Sequence, residues 1–287
     1  MMAELYFNQG SRKTTRWLFT RFASRLLRLY CPKLATRLLC HCLSPKPKTR
    51  TVYPPGHFNN TRLETPQGDL QVYRVGCGPV VLFLHGWFGS GAQFFPLMQQ
   101  VADAGYCAVS FDQYCHGESQ GSECNLPLLM EATQIVINKL HLQERLVATV
   151  SHSVGSVLAL NSDLDHKTDH FMIAPLFDLL PQFKERMDKA GIDPELFTLA
   201  ISHIENQHDF SFNQLNDCAR FAELTSRVHI IHNSGDRIAP INASRSMANR
   251  FSLVTLEEIA EKSHTRIIGA SSTEQALINF LNSNQIH

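Results

Sequence analysis

The sequence predicts an α/β fold: a mostly parallel central sheet with helices on both faces, a small helical cap and an N-terminal helical extension. Three observations predict it. From Pro79 onward, short all-apolar runs alternate with stretches of helical period, as repeated β-α units require. One such run, Leu146-Val147-Ala148-Thr149-Val150, leads into small residues around a serine and then into a helical pattern. One interval of about fifty residues, between Pro175 and Arg227, is too long for a plain crossover, which needs about one helix.

The 287 residues are 44% hydrophobic and 18% charged, which suits one sizeable globular domain with an appendage. The net charge of zero hides an asymmetry. Of the 26 Lys and Arg and 26 Asp and Glu, eleven bases and a single acid, Glu4, fall in residues 1–50. Eight cysteines are scattered without a C-x-x-C pair, favouring reduced thiols over a disulfide framework. Cys40-His41-Cys42 lacks the second ligand pair that a zinc site needs, so no metal is expected. Nothing in the charge pattern calls for nucleic acid, and oligomeric state is not legible.

Residues 1–62 read as a basic amphipathic helical extension and linker. Arg21, Arg25 and Arg28 share one helical face, while Leu18, Phe22, Leu26 and Leu29 share another, with Trp17 and Phe19 beside them. Pro32 ends or kinks this helix, and 33–43 reads as a second. The arginines interrupt any secretory signal core, and no run is long enough to span a bilayer. Three readings stand: a helix packed on the domain with its Arg face solvated, a helix lying on an anionic membrane surface, and an organelle transit peptide. A cytoplasmic location, peripheral at the inner membrane surface in the second reading, is the corresponding expectation. Pro45-Lys46-Pro47-Lys48 and Pro54-Pro55 read as an extended linker.

The main domain, 63–287, opens with a hairpin, 61–66 and 70–75 around Gln67-Gly68-Asp69. Strands follow at 80–84, 106–111, 146–150, 170–173, 227–232 and 253–258. Helices are expected at 92–104, 126–140, after Ser153, at 243–251 and at 275–282. The long interval carries helical patterns at 176–190, 194–205 and 213–223, read together as a cap insertion over 176–226.

In Ser151-His152-Ser153-Val154-Gly155 a buried strand turns sharply into a helix with serine at the apex, the form of a nucleophile elbow. A serine hydroxyl needs a base, an acid to orient that base, and donors for an oxyanion. Asp236, in Asn233-Ser234-Gly235-Asp236, follows a strand and is the candidate acid. An Asx turn or helix cap would use an Asp there equally well. His264, in Lys262-Ser263-His264-Thr265, lies in a polar loop after the last strand. It is singled out from 14 histidines by that position and by following the acid in chain order. Leu84-His85-Gly86-Trp87-Phe88-Gly89 ends a buried strand in a glycine-containing turn. The other donor is the N–H of Val154, next to the serine and at a helix N-terminus.

Residues 63–285 thus resemble the α/β-hydrolase superfamily, in its serine esterase and lipase-like branch. His85-Gly86-Trp87 resembles the oxyanion turn, which implies the Trp87 amide as donor. Asp112-Gln113-Tyr114-Cys115-His116-Gly117-Glu118-Ser119 resembles a D-x-x-x-H-G-x-S loop whose role is structural, so His116 is not expected to be catalytic. The departures are Ser151 and Ser263, where glycine is more usual. The resemblance implies a carboxylic ester hydrolase with Ser153 as nucleophile, His264 as base and Asp236 as its partner, needing no cofactor. Thioester, amide or C–C cleavage, acyl transfer, and non-catalytic binding are the alternatives. Phe177, Leu179, Leu180, Phe183, Leu196 and Phe197 hint at an apolar substrate, and core packing explains them equally well.

Overall fold

A computed structural model describes residues 15–44, 52–142, 144–215, 217–260 and 263–283. The linker expected at 45–48 and Lys262 lie outside the described residues. The chain forms two compact units, Lys46–Phe177 with Asn216–His287, and Met1–Pro45 with Asp178–Leu215.

The first unit is built on an eight-stranded sheet in the order β1-β2-β4-β3-β5-β6-β7-β8. Its strands are β1 (Asn59–Leu63), β2 (Leu70–Gly76), β3 (Val80–Leu84), β4 (Cys107–Phe111), β5 (Leu146–His152), β6 (Asp169–Ile173), β7 (Val228–Asn233) and β8 (Val254–Ile259). The hairpin pairs Leu63 with Leu70, and β2 joins β4 antiparallel; every later pairing is parallel. Strands β3 and β4 are buried at all positions because helices cover both faces, which is why their sequences show no polar alternation.

Alternate residues of each strand feed opposite cores. Val81, Phe83, Val150, Phe171 and Ile173 pack with helices at Phe95–Asp103 and Ser271–Asn282. Val80, Leu82 and Leu84 pack with the helix at Leu126–His141. Met172 and Ile230 meet Phe177, Phe221 and Met247 on that second face. Phe221 belongs to the short helix Asp217–Glu223, so the expected insertion over 176–226 is divided: Asp178–Leu215 leave the sheet unit, and the residues from Asn216 on belong to it.

The second unit brings the N-terminal extension together with the insertion. Numbering its helices in chain order, α1 (Thr15–Tyr30) and α2 (Pro32–Leu43) pack with α3 (Leu179–Lys189) and α4 (Pro194–His208). Their mode of packing corrects the expectation of a solvated Arg face on α1. Arg21 pairs with Asp188, and Arg28 pairs with Asp193 and Glu195, each at 2.7 Å. Trp17 donates its indole N–H to the Asp188 carbonyl at 2.8 Å. Gly191 has a φ of +81°, and a Cβ there would lie 2.7 Å from the Trp17 carbonyl, so the turn between α3 and α4 can approach α1 only as glycine.

The physical reason is charge. Acidic groups in and beside the α3–α4 turn draw Arg21 and Arg28 inward, while Arg25 stays exposed. The apolar face of α1 is left outward, with Leu18, Phe19, Phe22 and Leu29 all more than half exposed. On α2 the buried face is Ala35, Thr36, Leu39 and Leu43.

Phe177, Leu179, Phe183, Leu196 and Phe197 are all buried and Leu180 is partly buried, so packing accounts for their apolar character.

This packing predicts that Leu39→Ala destabilises the protein by about 2–5 kcal/mol, whereas Leu38→Ala, on the exposed side, stays within about 0.5 kcal/mol. Urea denaturation of the two variants checks the difference. Equal effects would mean that α2 buries another face.

Candidate active site

Ser153 sits between the end of β5 at His152 and the short helix Gly155–Leu160, with a left-handed φ of 56°. A non-glycine residue held there costs on the order of 1–3 kcal/mol and persists only where its surroundings fix it. Three backbone bonds do so. Ser153 N–H donates to the Ile173 carbonyl at 3.1 Å, and its carbonyl accepts from Ser156 N–H at 3.0 Å and Leu176 N–H at 3.2 Å. The helix then passes so close to β3 that a Cβ on Gly155 would lie 2.2 Å from the Leu84 carbonyl oxygen. Glycine is therefore required at 155. At 151, where the resemblance favours glycine, the buried Ser151 hydroxyl is instead hydrogen-bonded to Ser156 at 3.0 Å.

The turn after β3 lies directly beside the serine. A Cβ on Gly86 would come within 3.0 Å of the Ser153 Cβ. The peptide linking Gly86 to Trp87 is held at its carbonyl end. Gly89 N–H donates to the Gly86 oxygen at 3.0 Å, and His85 Nδ1–H does so at 2.8 Å. His85 Nε2 accepts from the Gln113 N–H at 3.0 Å, which assigns the proton to Nδ1. Because N–H and C=O point opposite ways in a trans peptide, fixing this carbonyl also fixes the direction of the Trp87 N–H. Val154 stands at the start of the elbow helix, where N–H groups have no partner within the helix.

His264 Nδ1 donates to Asp236 Oδ2 at 2.7 Å, and both side chains are buried. That bond assigns the proton to Nδ1 and leaves Nε2 with a lone pair. The other carboxylate oxygen, Oδ1, accepts from Ile238 and Ala239 N–H at 2.7 and 3.0 Å. Asp236 is thus an Asx turn and the partner of His264 at once, so the two roles left open by the sequence coincide. Burial alone would raise its pKa. The nearby His232 ring, the His264 N–H and the Ala239 N–H outweigh burial and hold the carboxyl well below the usual carboxylate range. Ser263 accepts from Arg266 N–H at 3.3 Å and so closes the turn after His264.

Two histidines that sequence reasoning gave no role support this arrangement. His152 Nε2 donates to the His264 carbonyl at 2.9 Å, and the two rings lie 4.8 Å apart, tying the residue before Ser153 to the His264 loop. His232, on β7, donates from Nε2 to the Ala239 carbonyl at 2.9 Å and lies 3.7 Å from Asp236 Oδ2. The available signal was a histidine near the C-terminal end of a largely apolar strand, next to Ser153 in one case and four residues before Asp236 in the other.

His116, expected to be structural, is fully buried. Its Nδ1 faces the Tyr114 carbonyl at 2.8 Å and its Nε2 the Trp87 carbonyl at 2.6 Å. Asp112 in the same loop accepts from Gly91 N–H, Glu118 N–H and the Tyr73 hydroxyl. Among the described residues, no cluster of three or more His, Cys, Asp or Glu side chains could hold a metal ion.

Comparison with known proteins places this geometry in context. The family model for the alpha/beta hydrolase fold matches residues 79–171. A 2-(acetamidomethylene)succinate hydrolase from Mesorhizobium japonicum is 36% identical over 67 residues, covering 23% of this chain and 24% of that protein. Among solved structures, an esterase from Pyrococcus furiosus superposes with a TM-score of 0.64 at 14% identity, covering 84% of this chain and 97% of that one. Mouse alpha/beta hydrolase domain-containing protein 10 gives a TM-score of 0.59 at 17% identity, covering 80% and 100%. At these identities the structural likeness establishes the fold.

Burial pushes His85 and His152 down to a pKa of about 3 and His170 to about 4, so all three are neutral in the fold. In the unfolded chain each takes up a proton near pH 6.5. Their contribution is therefore complete above that pH and is lost as pH falls toward the folded values, by up to about 1.4 kcal/mol per pH unit for each histidine. Urea denaturation from about pH 7 to about pH 5 should show falling stability, with a shallower slope in His152→Asn. A flat or rising profile would contradict the burial of neutral imidazoles.

Proposed function

We propose, from the premise that the chain belongs to the α/β-hydrolase superfamily, that it is a serine hydrolase of small-molecule carboxylic esters. The observation that carries this reading is the 2.7 Å bond from His264 to Asp236, on a sheet whose β5 presents Ser153 at a strained strand–helix turn. A histidine whose Nδ1–H is held by a buried carboxylate has its Nε2 lone pair ready to take a proton.

In the proposed reaction Ser153 Oγ attacks the acyl carbon while its proton passes to His264 Nε2. The tetrahedral oxyanion is held by the N–H groups of Trp87 and Val154. Collapse expels the alcohol, which carries away the proton from His264 and leaves an acyl-Ser153 ester. Water, deprotonated by His264, then attacks that ester and releases the acid, and the proton returns to Ser153. Asp236 keeps the imidazole in the required tautomer and stabilises its cationic form. His152 is a positioning residue, acting through the His264 backbone.

Esters are the acyl class read here because a serine nucleophile, a histidine base and an aspartate that orients it are the groups that acyl transfer through an acyl-enzyme needs. Ser at the elbow, in place of the Asp used by epoxide and haloalkane hydrolases of this fold, supports acyl chemistry. Graded p-nitrophenyl esters would define the acyl length.

A fluorophosphonate should label the folded protein once, and peptide mapping should put the adduct on Ser153. Labelling at Ser151 or Ser156, or none, would overturn the assignment. Ser153→Ala and His264→Ala should each lower kcat on the order of 10³-fold or more, and Asp236→Asn somewhat less, because such residues act as a unit. Turnover that survives His264→Ala but is abolished by His116→Ala, with both variants folded, would refute these roles.

A further inference from the structure

We propose that the outward face of α1 and α2 is a docking surface for an anionic phospholipid membrane. On α1 the exposed apolar residues are Leu18, Phe19, Phe22, Leu26 and Leu29; on α2 they are Leu34 and Leu38. They recur at i, i+3, i+4 and i+7 and so form a continuous stripe along α1. Five exposed apolar side chains on one face of α1, with two more exposed on α2, mark an interaction surface. No residue of α1 is buried, although its opposite side is engaged by the acidic turn through Arg21 and Arg28. The helix is therefore anchored by its polar side and presents its apolar side, the inverse of a helix that packs into a core.

The charge around the stripe chooses the occupant. Arg16, Arg25, Lys33 and Arg37 are exposed and border it, and neither α1 nor α2 contains an Asp or Glu. A second copy of the chain meeting this face across a two-fold axis would set like charges against each other. An anionic lipid surface pairs with all four bases. Its acyl boundary accepts aromatic and leucine side chains without needing a shaped pocket. No described helix is long and apolar enough to cross a bilayer, so the attachment is peripheral.

The test uses the full chain with vesicles of phosphatidylcholine alone or mixed with phosphatidylglycerol. Co-sedimentation should require phosphatidylglycerol and weaken as salt rises through the range where the Debye length shortens. Phe19→Asp/Phe22→Asp should reduce binding at least about tenfold, since two aromatics leave the lipid phase. Lys33→Glu/Arg37→Glu should reduce it by about fivefold or more for each charge removed. Both pairs are exposed, so their thermal unfolding and their turnover of a soluble ester should match the parent. Equal binding to phosphatidylcholine alone, insensitive to salt, would overturn the proposal. So would undiminished binding by Phe19→Asp/Phe22→Asp. A parent that is a dimer, ignores both vesicles, and becomes monomeric in that variant would assign the face to a second copy instead. Loss of ester turnover in all forms would count against the esterase reading alone, because the lipid readout does not use the Ser153 site.

Discussion

The structure depends on one steric constraint: β5 must turn into a helix within two residues, against the neighbouring β3. The φ of 56° at Ser153 and the glycine at 155 are its consequences. A side chain at 155 would strike the Leu84 carbonyl, and a side chain at 86 would crowd Ser153 itself. The same closeness that excludes side chains brings the His85-Gly86-Trp87 turn beside the serine. Strain of a few kcal/mol is sustained there because three backbone hydrogen bonds and two buried strands leave the chain no alternative path. The elbow is thus a product of sheet packing, and the serine's position follows from it.

Around that fixed point the polar groups are held by backbone atoms more than by one another. His152 is bonded to the His264 carbonyl, His85 to the Gly86 carbonyl, and His232 to the Ala239 carbonyl. Each is buried and donates to main chain, so each sets the path of a loop that carries a candidate residue. In a low-dielectric interior such bonds are strong, and breaking one leaves an unpaired group. The arrangement links the loops after β3, β5, β7 and β8 without any side chain needing a charge except Asp236.

Much of this was legible in the sequence, for identifiable reasons. Strands β3 and β5 were found because burial on both faces removes polar alternation. Asp236 and His264 could be paired as candidates because each follows a strand and they come in that order, and the structure joins them by a 2.7 Å bond. His152 and His232 were not assigned because a histidine's role depends on which carbonyl faces it, and carbonyl direction leaves no trace in residue type. The division of 176–226 was missed because helical period is the same whichever unit buries the helix. For α1 the amphipathic pattern was plain but the side that packs was not: apolar faces usually turn inward, and here the acidic groups Asp188, Asp193 and Glu195, far along the chain, draw Arg21 and Arg28 instead. A pattern confined to one helix cannot register a partner that distant in sequence.

The central claim is that Ser153 carries the acyl group between two half-reactions. Its most direct measurement is acid quenching of the protein during turnover of a p-nitrophenyl ester, followed by intact-mass and peptide analysis. The account predicts one acyl group per chain, on the peptide containing Ser153, formed with a stoichiometric burst of p-nitrophenol and absent in Ser153→Ala. Turnover with no burst and no covalent adduct, or with an adduct on another residue, would contradict it.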